Sequence, residues 1–265
     1  MSPRLDVRLG PAEWEGLRSQ ALADTVCVVF DILRATSTAV TALAHGARAL
    51  VPVGTLQEAV SLWRQQPHWL LAGERGGLRP APELTGGVPF HLGNSPREFT
   101  PERVRDRIVL FTTTNGSRAL RACQGARAVL AGAFLNLGAT VEVVRQLKSD
   151  RIVLVCAGTG TEPALEDILA AGAFVEQWRA CGPTPALTDA ASVAWRAWQE
   201  AAKDLMTALA DSANAQRLLQ QPELQEDVPW CLQRDRFSLA AWLLPEQNTL
   251  LGGSPAEAVA AHPQP

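Results

Sequence analysis

No apolar stretch in this sequence approaches the roughly 20 residues that a bilayer-spanning helix needs. The first ten residues, MSPRLDVRLG, hold no apolar core of signal-peptide length. Together these absences predict a cytoplasmic protein with no membrane partner. An excess of positive charge is missing too: 24 Lys and Arg face 27 Asp and Glu, a net charge of -3, so there is no basic footprint for nucleic acid. Cys27, Cys123, Cys156, Cys181 and Cys231 form no C-x-x-C pair, and two of them sit in apolar runs, which predicts reduced, buried thiols. His45, His68, His91 and His262 show no metal-binding spacing, which argues against zinc.

Several reaction motifs are also absent. There is no G-x-x-x-x-G-K-[ST] loop for nucleoside triphosphates. No cysteine is followed six positions later by arginine, as a thiol phosphatase requires. Asp31 is followed two residues on by Leu33, so the D-x-D-x-T pattern of aspartyl-phosphate phosphatases is missing. Ser117 lies in Asn115-Gly116-Ser117 rather than in a G-x-S-x-G elbow.

What is present is an ordinary globular composition, 47% hydrophobic and 19% charged, on a chain long enough for one large α/β domain or two small lobes. Short apolar runs at 26–30, 49–53, 69–72, 108–111, 128–130 and 152–156 predict strands. Between them, 35–45, 55–65, 117–123 and 136–148 carry apolar residues at three- and four-residue spacing and predict helices. That alternation predicts an α/β fold with a mostly parallel sheet flanked by helices. Residues 5–9 alternate as an edge strand would, 164–180 and 192–220 read as helical, and 237–244 suggests a late strand. The Gly- and Pro-rich segment 73–101 is a long irregular connection, of the kind that is usually functional or disordered.

Ligands of open α/β sheets bind beyond the carboxyl ends of strands, and here those ends are polar. After the first apolar run come Asp31, Arg34 and Thr36. A carboxylate, a guanidinium and a hydroxyl at a helix start can hold a metal ion and an anion, or Asp31 and Thr36 can simply cap the helix. Glu74 and Arg75 stand in GERGG, where flanking glycines allow close backbone approach; a surface ion pair is the plainer alternative. Asn94 and Ser95 follow in the same connection. The run Thr113, Thr114, Asn115, Gly116, with Arg118 one turn on, resembles a nest of N–H donors around an oxyanion, although a helix cap needs no more. Gly158 and Thr159 make another flexible turn, with Glu166 and Asp167 beyond it as candidate metal ligands or as complements to the helix dipole. Taken together, oxygen ligands without a histidine or cysteine cluster point to Mg²⁺.

These clusters, in this order, resemble the 2-phosphosulfolactate phosphatase family of coenzyme M biosynthesis. The resemblance is carried by VVFDILRATSTAVTALAHGA, GERGG with HLGNSPREF, TTTNGSRAL, and CAGTG with ALEDILAAG, and more weakly by SANAQRLL and EDVPWCLQRD. It implies Mg²⁺-dependent hydrolysis of 2-phospho-3-sulfolactate, a small multiply anionic substrate, on two α/β lobes. The lobes are expected at 1–135 and 136–252, with a flexible tail at 253–265. The metal set becomes Asp31, Glu74, Glu166 and Asp167, and the reacting groups Asp31, Arg34, Glu74 and Arg75. Arg34, Arg75 and Arg118 are the cations expected to gather the substrate's anionic groups. Direct water attack and a covalent aspartyl-phosphate at Asp31 both remain open. A homodimer is allowed for, as are a different phosphorylated hydroxy acid as substrate or an anion-binding protein without turnover.

Overall fold

The computed structural model describes residues 2–262 of the chain. Ten strands form one sheet: β1 (Arg4–Arg8), β2 (Thr25–Phe30), β3 (Ala49–Pro52), β4 (Leu70–Gly73), β5 (Ile108–Thr112), β6 (Ala128–Gly132), β7 (Arg151–Cys156), β8 (Ala186–Leu187), β9 (Ala240–Leu244) and β10 (Thr249–Gly253). The α-helices, in chain order, are α1 (Pro11–Trp14), α2 (Ala35–Ala44), α3 (Leu56–Gln65), α4 (Pro101–Val104), α5 (Gly116–Ala122), α6 (Leu137–Leu147), α7 (Leu165–Ala180), α8 (Asp189–Ala201), α9 (Leu205–Ala208), α10 (Ala213–Leu219), α11 (Asp227–Cys231) and α12 (Pro255–Ala260).

The strand order is β4-β5-β3-β10-β9-β6-β2-β7-β1-β8, so strands from both expected lobes share one continuous sheet. Six of the neighbouring pairs are parallel, which gives the mostly parallel α/β architecture that the alternating pattern predicts. The three antiparallel pairs all involve β9 or β10. Their consequence is directional. β6, β2, β7, β1 and β8 run one way, and β3, β5 and β4 run the other.

On a flat sheet that reversal would place the carboxyl ends of β2 and β5 on opposite edges, not on a common rim. Five strand steps separate them, and a rotation of roughly 20–25° per step accumulates to a turn of more than a right angle. The sheet curls around α2, which packs against β3, β6, β9 and β10. In this way the two blocks of strands deliver their ends to one cleft.

β2 is buried along its whole length and reads as the continuous apolar run expected of a central strand covered on both faces. α6, α7, α8 and α12 pack on one another as one group, and α1, α2 and α5 as another. α3 closes a smaller apolar cluster of Val53, Leu56, Ala59, Val60, Leu71, Phe90 and Leu110 over β4 and β5. Its start is set by Thr55, whose hydroxyl accepts the Glu58 N–H at 3.0 Å.

Four expectations change. The helical stretch 192–220 is broken into three helices, because Asp204 and Ser212 each accept an N–H three residues on and start a new helix. β10, with two glycines in five residues, carries no strand pattern, yet it lies inside the sheet. Gly252 explains the composition: a Cβ there would stand 2.8 Å from the Leu43 Cβ, so only glycine lets α2 pack this close. The tail expected at 253–265 contains α12, started by a capping box in which Ser254 and Glu257 satisfy each other's N–H groups; residues 263–265 lie outside the described residues. Of the five free thiols, Cys27, Cys123, Cys156 and Cys231 are buried as expected, whereas Cys181 is exposed at the end of α7.

Among the described residues no helix is long and apolar enough to cross a membrane.

Candidate active site

A cleft of about 260 Å³ opens where β2, β4, β5 and β7 end, lined by Asp31, Leu33, Arg34, Glu74, Gly76, Gly77, Asn94, Thr114, Asn115, Gly158, Thr159, Gly160, Asn214 and Arg217. Asp31 is the first residue after β2. Its main chain is locked to the start of α2: the Asp31 N–H donates to Thr36 Oγ1 at 2.9 Å and the Thr36 N–H to the Asp31 carbonyl at 2.9 Å. Its carboxylate Oδ1 accepts the Ala35 N–H at 2.9 Å. Gly116 approaches from α5 so closely that a Cβ on it would lie 2.5 Å from Asp31 Oδ2. Thr36 is thus a scaffold for Asp31 rather than a group facing the cleft.

The other three acids are fixed by donors at both oxygens. Glu74 accepts the Gly77 N–H at 2.8 Å and the Thr114 N–H at 2.7 Å, tying the GERGG turn to the threonine-rich turn. Gly76 and Gly77, at φ of +62° and +85°, let the turn fold back so that the Gly77 N–H reaches Glu74. Asp167 accepts the Ile32 N–H at 2.8 Å and the Gly158 N–H at 3.0 Å, which joins the ends of β2 and β7. Glu166 accepts from Ser212 Oγ at 2.7 Å and Asn214 Nδ2 at 2.6 Å, which attaches the region around α10.

Packing these acids together has an electrostatic cost. The Asp31 carboxyl is pushed up to about 7, first by burial and then by the charges of Glu74 and Glu166, against the lowering effect of the Ala35 and Gly116 N–H groups. Asp167 is also raised well above the ordinary carboxylate range, by burial first and then by Asp31 and Glu166, although it accepts two backbone N–H groups. Perturbed acids converging in a cleft are what acid–base or metal chemistry needs.

The arginines behave differently from expectation. Arg34 is buried, with Nη1 donating to Asp227 at 2.6 Å and Nη2 to the Gly77 carbonyl. Asp227 is itself fully buried and accepts from Ser95 Oγ at 2.6 Å. Arg34 and Ser95 therefore form, with Asp227 of α11, a buried knot in the wall of the cleft, which Arg34 lines. Arg75 turns away to Thr112, donating to its Oγ1 at 2.9 Å, and does not line the cleft. Arg118 lies on a separate surface, paired with Glu15 at 2.7 Å and 5.9 Å from the centre of the Trp14 ring. The expected role of Arg75 and Arg118 as substrate-gathering cations does not match this placement, because their donors are turned to other partners. Thr113 is likewise a cap, exchanging hydrogen bonds with Ser117 at the start of α5.

Asn94, Thr114, Asn115, Gly158 and Thr159 do line the cleft. Asn115 Nδ2 donates to the Ala157 and Gly160 carbonyls, at 3.0 and 3.2 Å. Its Oδ1, like that of Asn94, is buried without a partner among the described residues. Four contributors stand outside the motif residues singled out above: Ser212, Asn214 and Arg217, in the stretch SANAQRLL, and Asp227, in EDVPWCLQRD. Those two stretches belonged to the weaker part of the family resemblance, which was the one available signal.

The structure thus defines an α/β protein whose strand ends gather several buried acids and amides around a cleft the size of a small polar ligand. The chain belongs to the 2-phosphosulpholactate phosphatase family: the family model matches residues 13–244. It is 40% identical over 215 residues to a "Probable 2-phosphosulfolactate phosphatase" of Pseudothermotoga lettingae, covering 81% of this chain and 87% of that one. The protein of the same name from Synechococcus sp. (strain JA-3-3Ab) is 40% identical over 219 residues, covering 80% and 86%. That from Symbiobacterium thermophilum is 37% identical over 238 residues, covering 88% and 97%.

Proposed function

We propose that this chain hydrolyses 2-phospho-3-sulfolactate to 3-sulfolactate and phosphate, with Mg²⁺ as cofactor. The observation that carries the reading is Asp31: a carboxyl raised to about 7, at the end of β2, facing a cleft with Glu74, Thr114 and Asn115 around it. A carboxylate that lines the cleft directly after β2 is placed to act as the base that takes a proton from water for in-line attack on phosphorus. Thr114 and the glycine turn at Gly158 and Gly160 supply a hydroxyl and flexible backbone for the phosphoryl oxygens.

The donor chemistry of the cleft fits a hard cation. Asp31 and Glu74 offer carboxylate oxygens, and the buried, unpartnered Oδ1 atoms of Asn94 and Asn115 offer neutral ones, all without nitrogen or sulfur. Among the described residues no three Asp, Glu, His or Cys side chains are grouped closely enough to hold an ion directly. Glu74 is therefore the proposed protein ligand, and Asp31 meets the ion through a bound water whose proton it can take, a mode Mg²⁺ favours. Glu166 and Asp167 do not line the cleft, and their hydrogen bonds hold the geometry behind it. When bound, Mg²⁺ supplies neutralisation of the phosphoryl charge.

Phosphate release from 2-phospho-3-sulfolactate is the test. The wild type should turn over, a chelator should stop it and Mg²⁺ restore it, and Asp31→Asn should lose at least about 100-fold in kcat, the scale of a lost general base. Undiminished turnover in Asp31→Asn would refute the assignment of the base.

A further inference from the structure

A substrate that carries anionic groups beyond its phosphate binds well where a cation can meet one of them, and the three arginines expected from the sequence are all engaged. Arg34 is neutralised by Asp227, Arg118 by Glu15, and Arg75 lies outside the cleft. Among the described residues no Lys side chain lines the cleft. Arg217 does, and it has no carboxylate within ion-pair distance among the described residues.

Its setting is that of a positioned donor. Arg217 Nη2 donates to Asn214 Oδ1 at 2.9 Å, while Asn214 Nδ2 donates to Glu166 at 2.6 Å and to Thr159 Oγ1. This chain of contacts anchors the guanidinium to the acid cluster without neutralising it. Its Nε is buried and has no hydrogen-bond partner among the described residues. It faces the GERGG turn, since a Cβ built on Gly77 would come 3.5 Å from that Nε. A buried N–H of a charged group left without an acceptor is unfavourable by itself, and an oxyanion entering the cleft would satisfy it.

The geometry points to Arg217 as the residue that selects the substrate, through a second anionic group, carboxylate or sulfonate, on the carbon skeleton of the phosphate ester. Nε and the remaining Nη hydrogens present a fork matched to two oxygens of such a group. The inference rests on the proposed phosphatase reading for its substrate, but not for its binding prediction.

Initial rates would be measured for wild type, Arg217→Met and Arg217→Lys on 2-phospho-3-sulfolactate, 2-phospholactate and p-nitrophenyl phosphate, which has no second anion. Removing a charged hydrogen bond costs on the order of 10- to 100-fold. Arg217→Met should lower kcat/KM by roughly that factor on phosphosulfolactate, mainly through KM, and leave p-nitrophenyl phosphate within about threefold. An equal loss on phospholactate assigns the carboxylate, and a smaller one the sulfonate. Arg217→Lys, which keeps the charge without the fork, should recover part of the loss. A uniform loss on all three esters, or none on any, overturns the proposal. Calorimetric titration with 3-sulfolactate separates this from the phosphatase reading. Binding by wild type that Arg217→Met weakens at least tenfold upholds Arg217 even if no ester is hydrolysed, and equal or absent binding in both refutes it.

Discussion

Replacing Asp31 by asparagine should make the metal-free protein more stable at pH 8 while removing its activity. The Asp31 carboxyl rises from 3.8 in the unfolded chain to about 7 in the fold. A raised carboxyl contributes fully below the unfolded pKa, and that contribution is lost as pH climbs through the folded value. Three units at about 1.4 kcal/mol each set an upper bound of roughly 4 kcal/mol, which solvent in the cleft reduces to roughly 2–4 kcal/mol. Asn keeps an oxygen for the Ala35 N–H, but its NH₂ then faces the Gly116 N–H, which returns roughly 1 kcal/mol of cost. A net gain of about 1–3 kcal/mol remains, or a Tm higher by roughly 3–10 °C in a chain of this size. Melting curves by circular dichroism at pH 5, 6, 7 and 8, in chelator, measure it directly. The wild type should lose stability from pH 5 to 8. Asp31→Asn should be much flatter over the same window, because neutralising Asp31 also removes one of the charges that raise Asp167. Mg²⁺ at pH 8 should stabilise the wild type more than the variant. A lower Tm for Asp31→Asn at pH 8, or a wild type insensitive to pH, would refute the account of a cleft strained by its own acids.

Two further variants probe the frame. Asp227→Ala leaves Arg34 charged and buried without its partner and removes the acceptor of Ser95, so it should cost about 3–5 kcal/mol; an unfolding free energy from chemical denaturation lowered by less than about a quarter of that would mean that water replaces the carboxylate. Gly116→Ala should fold, yet lose activity by an order of magnitude or more, because its Cβ would meet Asp31 Oδ2 and Ala35 Cβ at 2.5 Å; wild-type kcat in a variant of normal Tm would show that Asp31 can move aside harmlessly.

What the sequence determined by itself is everything written in local pattern. Continuous apolar runs mark β2 and β7 because both faces of those strands are covered, and helical spacing with hydroxyl caps marks α3 and its neighbours. That Asp31, Glu74, Asn94, Thr114 and Asn115 line one cleft was legible because several strand ends and the connection after β4 carry polar groups at once, which separate caps and turns do not require. Only the tertiary structure decided how those ends meet. β9 and β10 enter from the far end of the chain, reverse the direction of β3, β5 and β4, and force the sheet to curl before Glu74 can approach Asp31. The same holds for charge. An arginine in a motif is a cation on paper, but whether it is free depends on partners such as Asp227, 193 residues away from Arg34, that no spacing reveals. Pairing across long sequence separations is settled by packing, and for that reason the cleft guanidinium without a carboxylate partner among the described residues is that of Arg217.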